Sequence, residues 1–596
     1  MHLRLSSVVC RLPSSPRRLS LLASFALAAT TLFGAAPWRN GERVPLWPEG
    51  KIPDLQAHQI GGMTDEPHTN KAWRAEHAMP YVEWFEAPAA DVKNGCCMIL
   101  VSGGSYNCCC DVSLIKLWRD RFTALGYQCV NLVYRTPRPK GLPVWQSAWE
   151  DGQRAVRLVR KDAAKRGFDP EKIGVIGMSA GGHLTVMLAT NSQTPAYKRV
   201  DAVDDIPCHI NWAIANAPAY NTLGGAKGDQ SVQDGVTVVP TINPCFAFDE
   251  KTCPISFHHG GNDPWSPNGS TLTYRELHRR GIPAELHLYA DKKHGAHGFD
   301  RALEFLRQMN IDGRLQPERA MDHRMMPGDT IRTEKEYLWP KGKAPDGSPN
   351  HAYDPYLIWF IPERQTTKAI QIVYPGGGYS FCNINGEGTP VAHYLNGKGM
   401  TTVLVMYRCP RPVGRDKHAS AWQDAQRAIR LVRSEAPARG LDPNRIGIMG
   451  FSAGGHLTLM TATNARTPAY APVDKIDKLP CDVQWACPIY PAYALTDGAN
   501  GLNVNGGVED GDAIVPEFAF DAETPPMCFV HGDADKISAM GSVKCWEKLR
   551  MMGIQCDLHT LATRGHCFQI KSSPDTGSWS WLDQVWDFLT RKGLNK

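Results

Sequence analysis

Three things are missing from this sequence, and each absence excludes a class of function. There is no basic block beyond the first residues: Lys and Arg number 65 against 60 Asp and Glu, for a net charge of +5. A nucleic acid partner is therefore not implied. No segment after the N-terminal leader approaches the ~20 apolar residues that a membrane span needs, so no membrane span is expected. Among the 18 cysteines no C-x-x-C pair recurs with a second pair, and Cys108-Cys109-Cys110 has no counterpart in the other half. That pattern excludes a repeated thiolate metal site and a dense disulfide framework, while leaving room for isolated disulfides in an exported chain. No metal and no cofactor are expected. With 42% hydrophobic and 21% charged residues, what remains is an ordinary globular composition.

The N-terminus departs from that composition. Arg11, Arg17 and Arg18 precede an apolar run over 19–33, and Gly34-Ala35-Ala36 follows. A basic start, a short apolar core and small residues at a cleavage point make 1–36 a signal peptide, and the mature chain secreted or periplasmic. Arg17-Arg18 also fits a twin-arginine signal, although a chance pair is the simpler reading.

What the chain does have is one motif twice: Gly177-Met178-Ser179-Ala180-Gly181-Gly182-His183 and Gly450-Phe451-Ser452-Ala453-Gly454-Gly455-His456. Each follows a short β-branched run (173–176, 446–449) and precedes a helix-favouring one. A single G-x-S-x-G is weak, but two in a strand–turn–helix context read as nucleophile elbows. Ser452 minus Ser179 gives an offset of 273, and the same offset aligns Ser102-Gly103-Gly104-Ser105-Tyr106 with Pro375-Gly376-Gly377-Gly378-Tyr379. Tyr134-Arg135, Trp149 and Asp151 likewise align with Tyr407-Arg408, Trp422 and Asp424. Further on the offset is 272, aligning His259, Asp263 and His287 with His531, Asp535 and His559. Leu46-Trp47-Pro48 meets Leu338-Trp339-Pro340 at 292, so the first copy carries extra residues near its start. The pattern is a tandem duplication of a domain, not a short-period solenoid.

Within one copy, 369–374, 401–407, 483–486 and 527–530 read as short apolar strands. Between them run helical segments such as the one with Ala425, Ala428, Ile429 and Val432 on one face. The alternation predicts α/β architecture: two tandem domains, each a mostly parallel sheet covered by helices on both faces. The expected boundaries are 37–309 for the first domain, 310–328 for a linker and 329–596 for the second.

Acyl transfer needs a nucleophile, a base and donors for the oxyanion. In chain order serine, acid, histidine, the candidates are Ser179, Asp263 and His294, then Ser452, Asp535 and His566. His294 keeps the 272 offset, whereas His297, in His297-Gly298-Phe299, would need another; His294 is preferred. Asp533 is a weaker competitor for the acid because its counterpart is Gly261. Oxyanion donors are expected from the N–H groups of Gly104, Ser105 and Ala180, and of Gly377, Gly378 and Ala453. Ser105 replaces a glycine, which puts the first hole in question. His183 and His456 read as structural.

These residues, with Glu387-Gly388 and Leu395-Asn396, resemble the bacterial acetyl xylan esterase-like group of α/β-hydrolases across nearly all of both halves. The resemblance implies a secreted serine carboxylesterase acting on an acylated carbohydrate such as acetylated xylan, or on a small ester. The first half departs more, having no Glu-Gly pair. Only 84 residues (263 minus 179) and 83 (535 minus 452) separate nucleophile from acid, too few for a separate lid domain. Two other readings compete: a peptidase or amidase on the same scaffold, and one half as a non-catalytic carbohydrate-binding or dimer-mimicking partner. The oligomeric state is not legible.

Overall fold

The structure is a computed structural model. It describes residues 40–55, 74–75, 79–87, 93–110, 112–223, 241–311, 313, 319–320, 331–346, 351–496, 513–568, 571–572 and 581–596. The expected leader lies outside the described residues, as does most of the expected linker. Within the linker Arg319–Ala320 forms a short strand paired with Lys571–Ser572.

The first half contributes strands β1 (Glu42–Pro45), β2 (Tyr81–Phe85), β3 (Cys97–Val101), β4 (Gln128–Val133), β5 (Ile173–Met178), β6 (Trp212–Asn216), β7 (Ile255–Gly260) and β8 (Ala284–Tyr289). The second repeats them as β9 (Ile331–Tyr337), β10 (Tyr356–Pro362), β11 (Ile370–Tyr374), β12 (Thr401–Met406), β13 (Ile446–Phe451), β14 (Trp485–Ile489), β15 (Cys528–Gly532) and β16 (Asp557–Leu561). The central strands are buried on both faces, which is why they are continuous apolar runs rather than alternating ones. Each half has the order 1-2-4-3-5-6-7-8, in which only the second strand runs antiparallel to the others. β14 starts two residues later than the apolar run at 483–486 suggests and extends through Pro488. Lacking an N–H, Pro488 breaks the pattern in sequence, and β14 meets β15 only at Ile489 and at a bridge from Ala486.

The helices that cover the sheet include α1 (Val112–Ala124), α2 (Gln146–Arg166), α3 (Ala180–Thr190), α4 (Asn268–Arg279) and α5 (Phe299–Gln308) in the first half. The second has α6 (Ile384–Glu387), α7 (Thr389–Gly397), α8 (Ala419–Glu435), α9 (Ala453–Thr463), α10 (Met540–Met551) and α11 (Trp581–Arg591). Several repeat markers turn out to be anchors for the chain entering the sheet. The Trp47 indole donates to Asp151 (2.7 Å), which also holds Arg135 Nε (3.0 Å). Trp339, Asp424 and Arg408 repeat both distances.

The two half-sheets are one sheet of sixteen strands, joined where β8 pairs antiparallel with β16. The register pairs His287 with His559, its own counterpart, so a pseudo-twofold axis passes between their Nδ1 atoms, 3.1 Å apart. The join is isologous, as in a symmetric dimer. Glu285 accepts the N–H of Ala562 (3.2 Å), and reciprocally Asp557 accepts that of Ala290 (2.7 Å). One apolar cluster runs through both halves, taking in Leu286, Leu288 and Leu558. Asp533 breaks the symmetry. It takes the Tyr274 hydroxyl (2.6 Å), lies 2.8 Å from His278 Nδ1 and caps the N–H of Ala284. The seventeen cysteines from Cys96 onward are free thiols, and all but Cys245, Cys382 and Cys567 are buried. They serve as small apolar side chains.

At the join Arg301 Nη2 donates to Glu285 Oε1 (2.9 Å), and both side chains are buried. Arg301→Met would strand that carboxylate against His287 and Ala562. The expected loss is about 3–5 kcal/mol of unfolding free energy, measured by urea denaturation. A change below about 1 kcal/mol would mean that the pair does not hold the halves together.

Candidate active site

Each elbow forms because the chain between strand and helix has no room for side chains. The Cβ of an alanine at Gly177 would lie 2.2 Å from the carbonyl oxygen of Gly181, and one at Gly450 2.1 Å from that of Gly454. Gly454 in turn presses on the Tyr374 carbonyl, where a Cβ would sit at 2.1 Å. Even within β5 and β13, Gly174 and Gly447 are required, because the indoles of Trp212 and Trp485 lie across them. The result is a serine held at positive φ, 58° at Ser179 and 53° at Ser452, a strained conformation that presents the hydroxyl at the head of α3 or α9.

In the second half the three expected residues form a hydrogen-bonded chain. His566 Nε2 lies 2.9 Å from Ser452 Oγ, and His566 Nδ1 lies 2.8 Å from Asp535 Oδ2. In the first, His294 Nδ1 lies 2.8 Å from Asp263 Oδ2, but no hydrogen bond links His294 to Ser179. His297 instead meets the Lys293 carbonyl (2.7 Å), so the structure brings His294 and not His297 onto the acid. Asp533 lies at the join between the halves, away from Ser452. Burial would raise the carboxyl of Asp535, but hydrogen bonds from His531 and His566 outweigh it and hold the group at about 2. The same contest, with His259 and His294 as donors, leaves Asp263 well below the ordinary carboxylate range. Both acids are thus anions, fit to orient an imidazole and stabilise its protonated form.

The six expected oxyanion donors line the same two corners. Among the described residues, none of the N–H groups of Gly104, Ser105, Ala180, Gly377, Gly378 and Ala453 meets a protein acceptor. Gly104 and Gly377 sit at φ 126° and 127°, where a Cβ would strike the carbonyl oxygens of Cys108 and Phe381 at 2.0 and 2.1 Å. Ser105, in place of a glycine, adopts φ 53° against 62° at Gly378. The substitution thus keeps the loop's shape at the expense of left-handed strain. His183 and His456 are buried and tie this loop to the elbow helix: the Tyr106 and Tyr379 hydroxyls lie 2.7 and 2.8 Å from their Nδ1 atoms.

Other residues shape the site without any mark in the repeat pattern that assigns them a part. His259 Nε2 approaches Asp263 Oδ2 at 3.2 Å while meeting the Trp265 carbonyl (2.8 Å), and His531 does the same for Asp535 and Ile537. Glu387 is buried beside Ser452. It accepts the N–H of Gly376 (2.8 Å) and the Tyr490 hydroxyl (3.0 Å), and burial raises its pKa. Tyr490 also stands edge-on to His566, with ring centroids 5.0 Å apart. At the same offsets the first half has Leu114 for Glu387 and Ala217 for Tyr490. There the imidazole of His294 packs instead against Trp265 at a tilt, 4.5 Å between centroids, where the second half has Ile537. The two corners therefore share a frame but not a lining.

A BD-FAE family model matches residues 86–276 and 358–492, together more than half of the chain. Over 226 residues the chain is 27% identical to an acetylxylan esterase of Xylanibacter ruminicola, covering 36% of this chain and 43% of that protein. Over 202 residues it is 32% identical to esterase LipQ of Mycobacterium tuberculosis, covering 30% and 45%. The chain thus spans less than half the length of these relatives. Among solved structures, an acetyl ester-xyloside bifunctional hydrolase from Caldicellulosiruptor lactoaceticus is 26% identical, with a TM-score of 0.35 over 44% of this chain and 97% of that one.

Replacing Glu387 by Leu and Tyr490 by Ala, the residues of the first half, tests what they do for Ser452. Releasing the Gly376 N–H is expected to loosen the donor loop by about 1–3 kcal/mol, slowing fluorophosphonate labelling of Ser452 roughly 5- to 150-fold. Labelling of Ser179, followed by mass spectrometry in the same sample, stays unchanged. Equal labelling of Ser452 before and after would remove Glu387 from the site.

Proposed function

This chain belongs to the BD-FAE family, and on that premise we propose that it is a carboxylic ester hydrolase, a secreted serine esterase that deacetylates polysaccharide such as acetylated xylan through an acyl-enzyme. The observation that carries the mechanism is the unbroken chain from Ser452 through His566 to Asp535. The Ser452 hydroxyl attacks the acyl carbon as His566 Nε2 takes its proton, and the imidazolium is held by the Asp535 carboxylate. The N–H groups of Gly377, Gly378 and Ala453 receive the negative charge on the former carbonyl oxygen. His566 returns the proton to the departing sugar hydroxyl. Water, deprotonated by the same histidine, then hydrolyses the ester on Ser452 and releases the acid. The acetylxylan esterase relative supports the choice of acyl group and sugar, and the leader-like N-terminus supports export. No described helix is long and apolar enough to cross a membrane.

A second reading applies to the first half alone. Ser179 lacks the hydrogen bond to His294 that Ser452 has to His566, which favours Ser179 as the slower or differently specific site.

Two measurements check this. With a small aryl acetate and with acetylated xylan, Ser452→Ala is expected to remove most of the turnover and Ser179→Ala less than half. The double variant should fall by on the order of 10³-fold or more. A double variant with wild-type rates would end the serine-esterase reading. Because the base acts only when unprotonated, kcat/KM should rise with pH from acid to neutral and then level. A flat profile over that range would rule out histidine as the base.

A further inference from the structure

One side-chain cluster in the second half plays no part in the chemistry above. His456 lies in the first turn of α9, one turn beyond Ser452; His418 immediately precedes α8; and Glu517 lies in the loop between β14 and β15. A ligand atom from each lies within 4.8 Å of the other two. His456 is fully buried and His418 is 8% exposed, with its Nδ1 buried and without a hydrogen-bond partner. His456 Nε2 and Glu517 Oε1 are 3.4 Å apart. That is longer than a charge-assisted hydrogen bond between such groups, about 2.7–2.9 Å. It is close to the roughly 3.3 Å that separates two ligand atoms on one tetrahedral ion with bonds of about 2.0–2.1 Å.

We propose that His418, His456 and Glu517 form a binding site for a divalent transition metal, Zn²⁺ in the first instance. Two imidazoles and one carboxylate suit Zn²⁺, whereas Ca²⁺ and Mg²⁺ prefer oxygen donors alone. The fourth position is left to water or a small anion. The surrounding contacts are those a metal ligand needs. Tyr379 Oη, 2.8 Å from His456 Nδ1, orients that ring from its far side, and the Glu517 carbonyl is pinned by the Asn464 amide (2.9 Å). Asp416 and Lys417 flank His418 with opposite charges.

The first half does not repeat the site. At the same offsets it has His183 but Trp145 for His418 and Cys245 for Glu517, and the indole packs on the imidazole with centroids 5.2 Å apart. The three donors are therefore not imposed by the shared scaffold. An ion here would join α8, the β14–β15 loop and the helix that carries Ser452. Through Tyr379 it would also reach the loop that supplies Gly377 and Gly378. The site stands whether or not Ser452 acts on an ester.

The test uses the full chain without a polyhistidine tag, stripped by dialysis against chelator and titrated with Zn²⁺ alone by calorimetry. One equivalent is expected, and Co²⁺ in its place should give the visible absorption of a four-coordinate ion with nitrogen and oxygen ligands. Glu517→Gln and His418→Ala should each weaken binding about 100-fold or more, beyond what loss of an outer contact costs. Cys245→Ser should change nothing. Glu517 is part-exposed, so its variant keeps the fold if the His418 variant does not. Absence of stoichiometric binding, binding undiminished in Glu517→Gln, or a thiolate charge-transfer band with Co²⁺ would each overturn the site.

Discussion

The close approach of backbone to backbone at each elbow is the constraint on which everything else rests. Gly181 and Gly454 bring α3 and α9 so near the ends of β3 and β11 that no side chain could intervene. That contact fixes three things together: the positive φ of the serine, the position of the helix N-terminus beneath it, and its distance from the Gly-rich loop that leaves the neighbouring strand. The Tyr106–His183 and Tyr379–His456 pairs then lock that loop to the helix. Strain at one residue is tolerable because the packing around it permits no alternative.

On this frame the two halves diverge wherever the frame is indifferent. The Gly-rich loops and the Asp–His pairs keep their places in both, because each follows a strand end. The side chains around them do not. Tyr490 and Glu387 brace the second corner, whereas Trp265 covers the imidazole in the first and Leu114 and Ala217 stand where the braces would be. A pseudo-twofold join through β8 and β16 stabilises both halves, and its reciprocal bonds from Glu285 and Asp557 resemble those of a dimer. Asp533, opposite Gly261, shows that the join too has been free to become asymmetric.

Much of this is legible in the sequence alone. Glycine spacing around Ser179 and Ser452 announces the elbow because only glycine tolerates such contacts. The preserved 272 offset selects His294 over His297. The markers Trp47, Arg135 and Asp151 recur as a set because they bond one another. Less legible was β14, whose Pro488 interrupts an otherwise apolar run. The part played by Glu387 was also hidden, since a buried carboxylate looks like any surface glutamate in a sequence.

What the sequence by itself determined is whatever depends on local sterics and chain order: strand–turn–helix at each serine, two copies of one mostly parallel sheet, and the chain order of serine, aspartate and histidine at each site. What only the tertiary structure decided is whatever depends on side chains distant in sequence meeting in one volume. Those are the union of the half-sheets at His287 and His559, the bracing of His566 by Tyr490, the lack of a hydrogen bond between Ser179 and His294, and the gathering of His418, His456 and Glu517. The physical reason is that glycine contacts act within a few residues and leave a periodic mark. Long-range packing is set by shape complementarity between surfaces, which no spacing in the chain records.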